Sequence, residues 1–211
     1  MIIAVDGPAA SGKGTLARRL AKLLGLAYLD TGLLYRAVGL AVLRAGGDPA
    51  DKGAAVAAAR ALGPHALDDP ALREDDAAQA ASVVAATPEV RRQLLDFQRK
   101  FSQTPGGAVL DGRDIGTVVC PGADAKLFVT ASLEARAARR LKELRERGVE
   151  AIHSRVLADM QERDARDSQR AVSPLVPAAD AYVLDTTDLD ADAALAKALD
   201  FVKSRGSAKD D

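Results

Sequence analysis

The chain has 211 residues, enough for one sizeable core with a smaller insert and too few for two ordinary domains. Its 29 Lys and Arg against 30 Asp and Glu give a formal net charge of -1, which excludes the global basic field of a nucleic-acid binder. One cysteine, Cys120, rules out an intrachain disulfide, and the two histidines, His65 and His153, lie far apart with no metal-ligand spacing around them.

The opening run Ile2-Ile-Ala-Val5 carries no basic leader, and no apolar stretch in the chain approaches ~18 residues. A soluble cytoplasmic protein with no membrane partner, working as a monomer, is expected. Continuous rather than alternating apolarity makes this run a strand buried on both faces, as in a parallel sheet. Four later runs read the same way: Ala27-Tyr-Leu29, Ala108-Val-Leu110, Lys126-Leu-Phe-Val129 and Ala181-Tyr-Val-Leu184. The fold class that follows is α/β, a P-loop three-layer α/β/α arrangement around a five-stranded parallel sheet.

The first strand leads into Gly7, Pro8, Ala9, Ala10, Ser11, Gly12, Lys13, Gly14 and Thr15, a Walker A pattern between a strand and a helix. Its glycines let successive backbone N–H groups turn toward phosphates, the helix N-terminus adds partial positive charge, and Lys13 reaches the terminal phosphates. Gly14 follows Lys13 where Ser or Thr is usual, so the hydroxyl for Mg²⁺ moves to Thr15. The helix from Thr15 to Leu24 places Leu16, Leu20, Leu23 and Leu24 on one face.

Asp30-Thr-Gly-Leu-Leu-Tyr35-Arg36 follows the second strand, and Asp111-Gly-Arg113-Asp114-Ile-Gly-Thr117 follows the third. Ligands bind off the carboxyl ends of strands in open parallel sheets, so both segments and the phosphate loop are expected to meet at a cleft. Asp111 stands where an acid holds Mg²⁺ through water. The plainer reading is that Asp30 and Asp111 cap element ends and Tyr35 is core.

Residues 46–105 hold alanine-rich helical stretches, Ala54 to Leu62 and Asp76 to Ala86, without a convincing strand, and read as an insert in a core of about 1–45 and 106–203. Thr87-Pro88 opens a helix with Val90, Leu94, Phe97 and Phe101 on one apolar face. A later helix from about Ser132 ends at Gly148. A lid of about 154–172 contains Glu162-Arg-Asp-Ala-Arg-Asp-Ser-Gln-Arg170, and a disordered tail is expected over 204–211. Taken alone, the arginine-rich segment better suits a solvated helix face with an Arg163–Asp167 ion pair, and it is the phosphate loop elsewhere in the chain that favours a lid.

Together, Gly-Pro-Ala-Ala-Ser-Gly-Lys-Gly-Thr, Asp-Thr-Gly-Leu-Leu-Tyr-Arg, Asp-Gly-Arg-Asp-Ile-Gly-Thr, Glu-Arg-Asp-Ala-Arg-Asp-Ser-Gln-Arg and Ser173-Pro-Leu-Val-Pro-Ala-Ala-Asp180 resemble the bacterial cytidylate kinases, P-loop nucleoside monophosphate kinases, over nearly the whole chain. The resemblance implies ATP with Mg²⁺ as donor and CMP or dCMP as acceptor. It implies that Thr31, Arg91 and Asp114 read the pyrimidine, that Ser82, Arg163 and Asp167 lie near the sugar, and that Arg36, Arg113 and Arg170 hold phosphates. Tyr35 would line the acceptor pocket, and Lys13, Arg113, Arg163 and Arg170 would form the catalytic set. The insert is shorter than in the family's long form, which implies a reduced acceptor-binding part. From the residues alone, a P-loop kinase for UMP, AMP, shikimate or dephospho-coenzyme A, or an ATP-binding switch, stays open.

Overall fold

In the computed structural model, which describes residues 1–63 and 65–207, each apolar run becomes a strand. These are β1 (Ile2–Asp6), β2 (Ala27–Asp30), β3 (Ala108–Gly112), β4 (Ala125–Thr130) and β5 (Tyr182–Asp185). They form a five-stranded parallel sheet in the order β2-β3-β1-β4-β5. The central strand is the one with no polar residue before its end: Ile3, Ala4 and Val5 are fully buried. Asp6, its last residue, stands level with Gly112 on one side and Phe128 on the other. The segments after β1 and β3 therefore leave the same edge of the sheet.

The helices are α1 (Lys13–Leu24), α2 (Gly32–Arg44), α3 (Lys52–Arg60), α4 (Asp75–Val84), α5 (Pro88–Ser102), α6 (Leu133–Glu146), α7 (His153–Ser168) and α8 (Ala191–Ser207). The chain forms two compact units, residues 1–29 with 102–211, and residues 30–101. In the first unit, Leu16, Ala17 and Leu20 of α1 and Leu195, Ala198 and Val202 of α8 pack on Ile3, Val5, Val109, Leu127 and Val129. Leu23 does not join this face: it is exposed, because Ala17 and Ala21 complete the buried stripe and turn position 23 to solvent. Helices α6 and α7 pack through Ala137, Leu144, Val156 and Met160. Ser132 caps α6 by accepting from the Ala135 N–H, and Gly148 follows its end at φ 76°.

The second unit is helical, and the described residues of 46–105 contain no strand, as expected from their sequence. Leu34, Tyr35 and Val38 of α2 share a core with Ala55, Ala59, Ala81, Val84, Val90 and Leu94. Helices α2 and α4 approach so closely that a Cβ on Gly39 would lie 2.6 Å from Ala80 Cβ, so this contact needs glycine. The face of α5 is rotated from the expected one. Val90 and Leu94 are buried, but Phe97 is exposed and Gln98 takes the inward place, its amide donating to Leu94 O. Phe101 is half-buried. The tail expected from Ser204 continues α8 as far as Ser207, and residues 208–211 lie outside those described.

Candidate active site

The phosphate loop owes its shape to close approach at its base. A Cβ on Gly7, whose φ is 153°, would lie 2.0 Å from Val129 O, so only glycine lets the chain leave β1 against β4. Ala10 is held in the left-handed region at φ 57°, a conformation retained where surrounding structure over-determines it. Lys13 opens α1, whose first turn carries no acidic residue of its own, and the positive end of the helix dipole there favours an anion. Thr15 is exposed on the same turn.

Asp111 is buried at the end of β3 and accepts the Tyr28 hydroxyl at 2.6 Å. A Cβ on Gly14 would stand 3.4 Å from Asp111 Oδ2 and 4.0 Å from Tyr28 Oη, so the acid lies against the first turn of α1. The unusual Gly14 leaves that approach open. Arg18 places its guanidinium over the Tyr28 ring, 5.5 Å from the centroid. Among the described residues no cluster of three His, Cys, Asp or Glu could hold a metal unaided.

Arg113 follows Asp111 by two residues and donates through Nε to Asp167 on α7 at 2.9 Å. Asp167 is 3% exposed, so the solvated-face reading fails for it; its partner is Arg113, 54 residues away, in addition to the neighbouring charge of Arg163. Burial is the largest influence on Asp167 and alone would raise its pKa. The charges of Arg113 and Arg163, the hydrogen bond from Arg113 and the charge of Arg170 outweigh it and hold the carboxyl below its ordinary value. The surface reading does hold for Glu162 and Arg166, which pair along the exposed side of α7. Four predicted residues, Arg113, Arg163, Asp167 and Arg170, are thus one electrostatic group.

The predicted acceptor residues of the second unit are arranged within it. Arg91 is buried with its guanidinium 5.3 Å from the Tyr35 ring centroid and donates to Ala85 O. Thr31 and Ser82 are buried, and Arg36 donates to Leu72 O at 2.9 Å. Asp30 has the plainer role, its Oδ1 accepting the Gly32 N–H at the start of α2.

Three features of the first unit escape sequence reading. Asp6 is buried and accepts the Ile115 and Gly116 N–H groups at 2.8 Å each. Burial, the largest influence, pushes its pKa up to about 7; the two amides pull it down, Asp114 adds repulsion and Arg113 attraction. Arg136, also buried, donates to both carboxylate oxygens of Asp164 on α7 and to Ala9 O of the loop. Beside the loop lies a cavity of about 310 Å³ lined by Ser11, Thr15, Leu16, Val129, Arg139 and Asp190, among others. Thr186 ties its wall to the loop by donating to Ser11 O at 2.9 Å.

The cytidylate kinase family model matches residues 3–204. A cytidylate kinase of Paramagnetospirillum magneticum is 67% identical over 97% of this chain and 98% of its own length. Those of Rhodospirillum rubrum and Methylocella silvestris are 64% and 62% identical, covering 96% and 97% of this chain and 97% and 94% of their own. Among solved structures, an uncharacterized protein from Eubacterium ventriosum aligns with a TM-score of 0.58 at 15% identity, over 97% of this chain and 99% of its own, a likeness of fold.

Proposed function

The chain belongs to the cytidylate kinase family, enzymes that move the terminal phosphoryl group of ATP to CMP or dCMP, and from that premise we propose how its residues divide the reaction. The observation that carries the reading is the set of arginines grouped around Asp167 in a chain that also holds a Walker A loop. The loop amides and Lys13 take the ATP phosphates, and the cavity beside them, with Arg139 on its wall, takes the nucleoside. Arg113 and Arg170 neutralise the phosphates, and Arg163, beside Asp167, lies near the sugar as part of the catalytic set. Thr31, Ser82, Arg91 and Asp114 read the acceptor nucleoside, with Asp167 at the sugar, Arg36 at the phosphate and Tyr35 lining the pocket. Within this proposal the enzyme works in the cytoplasm as a monomer.

No general base is needed. A nucleoside monophosphate has a second pKa near ~6, so its attacking oxygen is already deprotonated at neutral pH. The physical task is to bring two anions into line and cancel their repulsion, which calls for fixed cations rather than a proton acceptor. A hydroxyl acceptor would call for an acid placed as a base. The chemistry of the donor set fits Mg²⁺, since one hydroxyl, Thr15, and one carboxylate, Asp111, lie at the first turn of α1, where substrate phosphates supply the remaining oxygens. Thr15 and Asp111 would hold the ion there, and the chemistry it would supply is positive charge that offsets that of the phosphates. Tyr28 orients Asp111, so Tyr28→Phe is expected to raise the Mg²⁺ concentration for half-maximal turnover by about 10-fold at saturating ATP. An unchanged Mg²⁺ titration would remove Asp111 from the metal site.

The test of the whole reading is acceptor dependence. With ATP and Mg²⁺ in a coupled assay, CMP and dCMP are expected to support turnover at least about 10-fold above UMP, AMP, shikimate and dephospho-coenzyme A. Equal slow hydrolysis with every acceptor would sink it.

A further inference from the structure

We propose that Asp6 is a positioning residue for phosphoryl transfer, fixing the chain on both sides of Arg113 and Asp114. Its backbone stands in register with Gly112 in the β1–β3 ladder, and its carboxylate accepts the N–H groups of Ile115 and Gly116 at 2.8 Å each. The two residues left between these anchors are Arg113 and Asp114. The next residue after Asp6 is Gly7, which opens the phosphate loop. One buried side chain thus sets the acceptor-side pair against the strand that delivers the donor loop.

The side-chain type follows from the task. Ile115 and Gly116 open a single π-helical turn, Ile115–Val119, and their N–H groups have no partner within it. A carboxylate offers two acceptor oxygens side by side, whereas an asparagine would turn an NH₂ toward one of the two donors. Gly116 completes the fit, since a Cβ there would lie 3.4 Å from Asp6 Oδ2 and 3.2 Å from Lys126 Cδ.

The inference rests on the acceptor-side assignment of Arg113, and its test separates the two. In the full chain, Asp6→Asn is expected to lower kcat/KM for CMP by about 100-fold, as about 1 Å of misplacement does, with the KM for ATP within about two-fold of wild type. In an Arg113→Ala background the same change is expected to cost less than about 10-fold, because the cation of the pair it positions is gone. A loss of about 100-fold in both backgrounds, or one confined to the KM for ATP, overturns the proposal. Since Asp6→Asn sets donor against donor in the core and can fail to fold, wild-type hydrogen exchange without nucleotide provides the second measurement. The Ile115 and Gly116 amides should exchange as slowly as those of Val109 and Leu110 in β3; exchange at open-loop rates overturns the clamp whatever the acceptor proves to be.

Discussion

Lys13→Met is expected to lower kcat by at least about 10³-fold, roughly 4 kcal/mol of transition-state stabilisation, while the variant stays folded. Lys13 is the first residue of α1, whose first turn carries no acid, so its ammonium stands at the positive end of the helix dipole. Methionine keeps the length of the side chain without the charge, so the variant tests the ammonium alone. Phosphates bound at the loop would meet both the helix end and the ammonium. Thermal unfolding without nucleotide, alongside single-turnover transfer with ATP and CMP, checks both outcomes. Near-normal turnover in the folded variant would remove Lys13 from the transfer machinery.

What could be read in the sequence is what the chain determines over a few residues. The five strands were legible because each is a short apolar run, and the phosphate loop because glycine spacing and Lys13 belong to one local turn. The Asx turn of Asp30 onto Gly32 N is likewise local, two residues long. Asp6 left a faint trace, a carboxylate ending the fully buried run of β1. Its partners did not, since they lie 109 and 110 residues on and are brought to it only by the β3-β1 neighbourhood in the sheet. Tyr28 and Asp111 are similar, 83 residues apart.

The rotated face of α5 has another origin. Hydrophobicity favours Phe97 as its inward residue, but Gln98 lies four residues beyond Leu94 and can return its amide to Leu94 O. A polar residue that satisfies itself within the helix can be buried, and the apolar pattern alone does not reveal it. The arginine-rich segment was ambiguous for a related reason. Spacing allowed Arg163 to pair with Asp167 on a wet surface, and only tertiary structure shows Asp167 turned inward to Arg113.

That inward turn makes Arg113→Ala the more informative of the large perturbations, because it strips the hydrogen-bonded cation from a buried acid. Removing one partner of a buried pair costs about 3–5 kcal/mol, so this variant, unlike Lys13→Met, is expected to lose both transfer and stability. The pH dependence identifies the cause. In the wild type, Asp167 has a folded pKa below its unfolded value; its contribution is present above the unfolded value, about 3.8, and is lost as pH falls through the depressed one. Without Arg113 the folded pKa moves up, since only the charges of Arg163 and Arg170 remain to oppose burial, and the stability gained above the unfolded value shrinks. The gap between the two proteins should therefore be widest near neutrality and close below about pH 4. Adding Asp167→Asn removes the stranded charge and should recover most of the stability at pH 7 without restoring turnover, since the cation facing the phosphates is still missing. A double variant that regains activity together with stability would mean that Arg113 holds the fold rather than the phosphate.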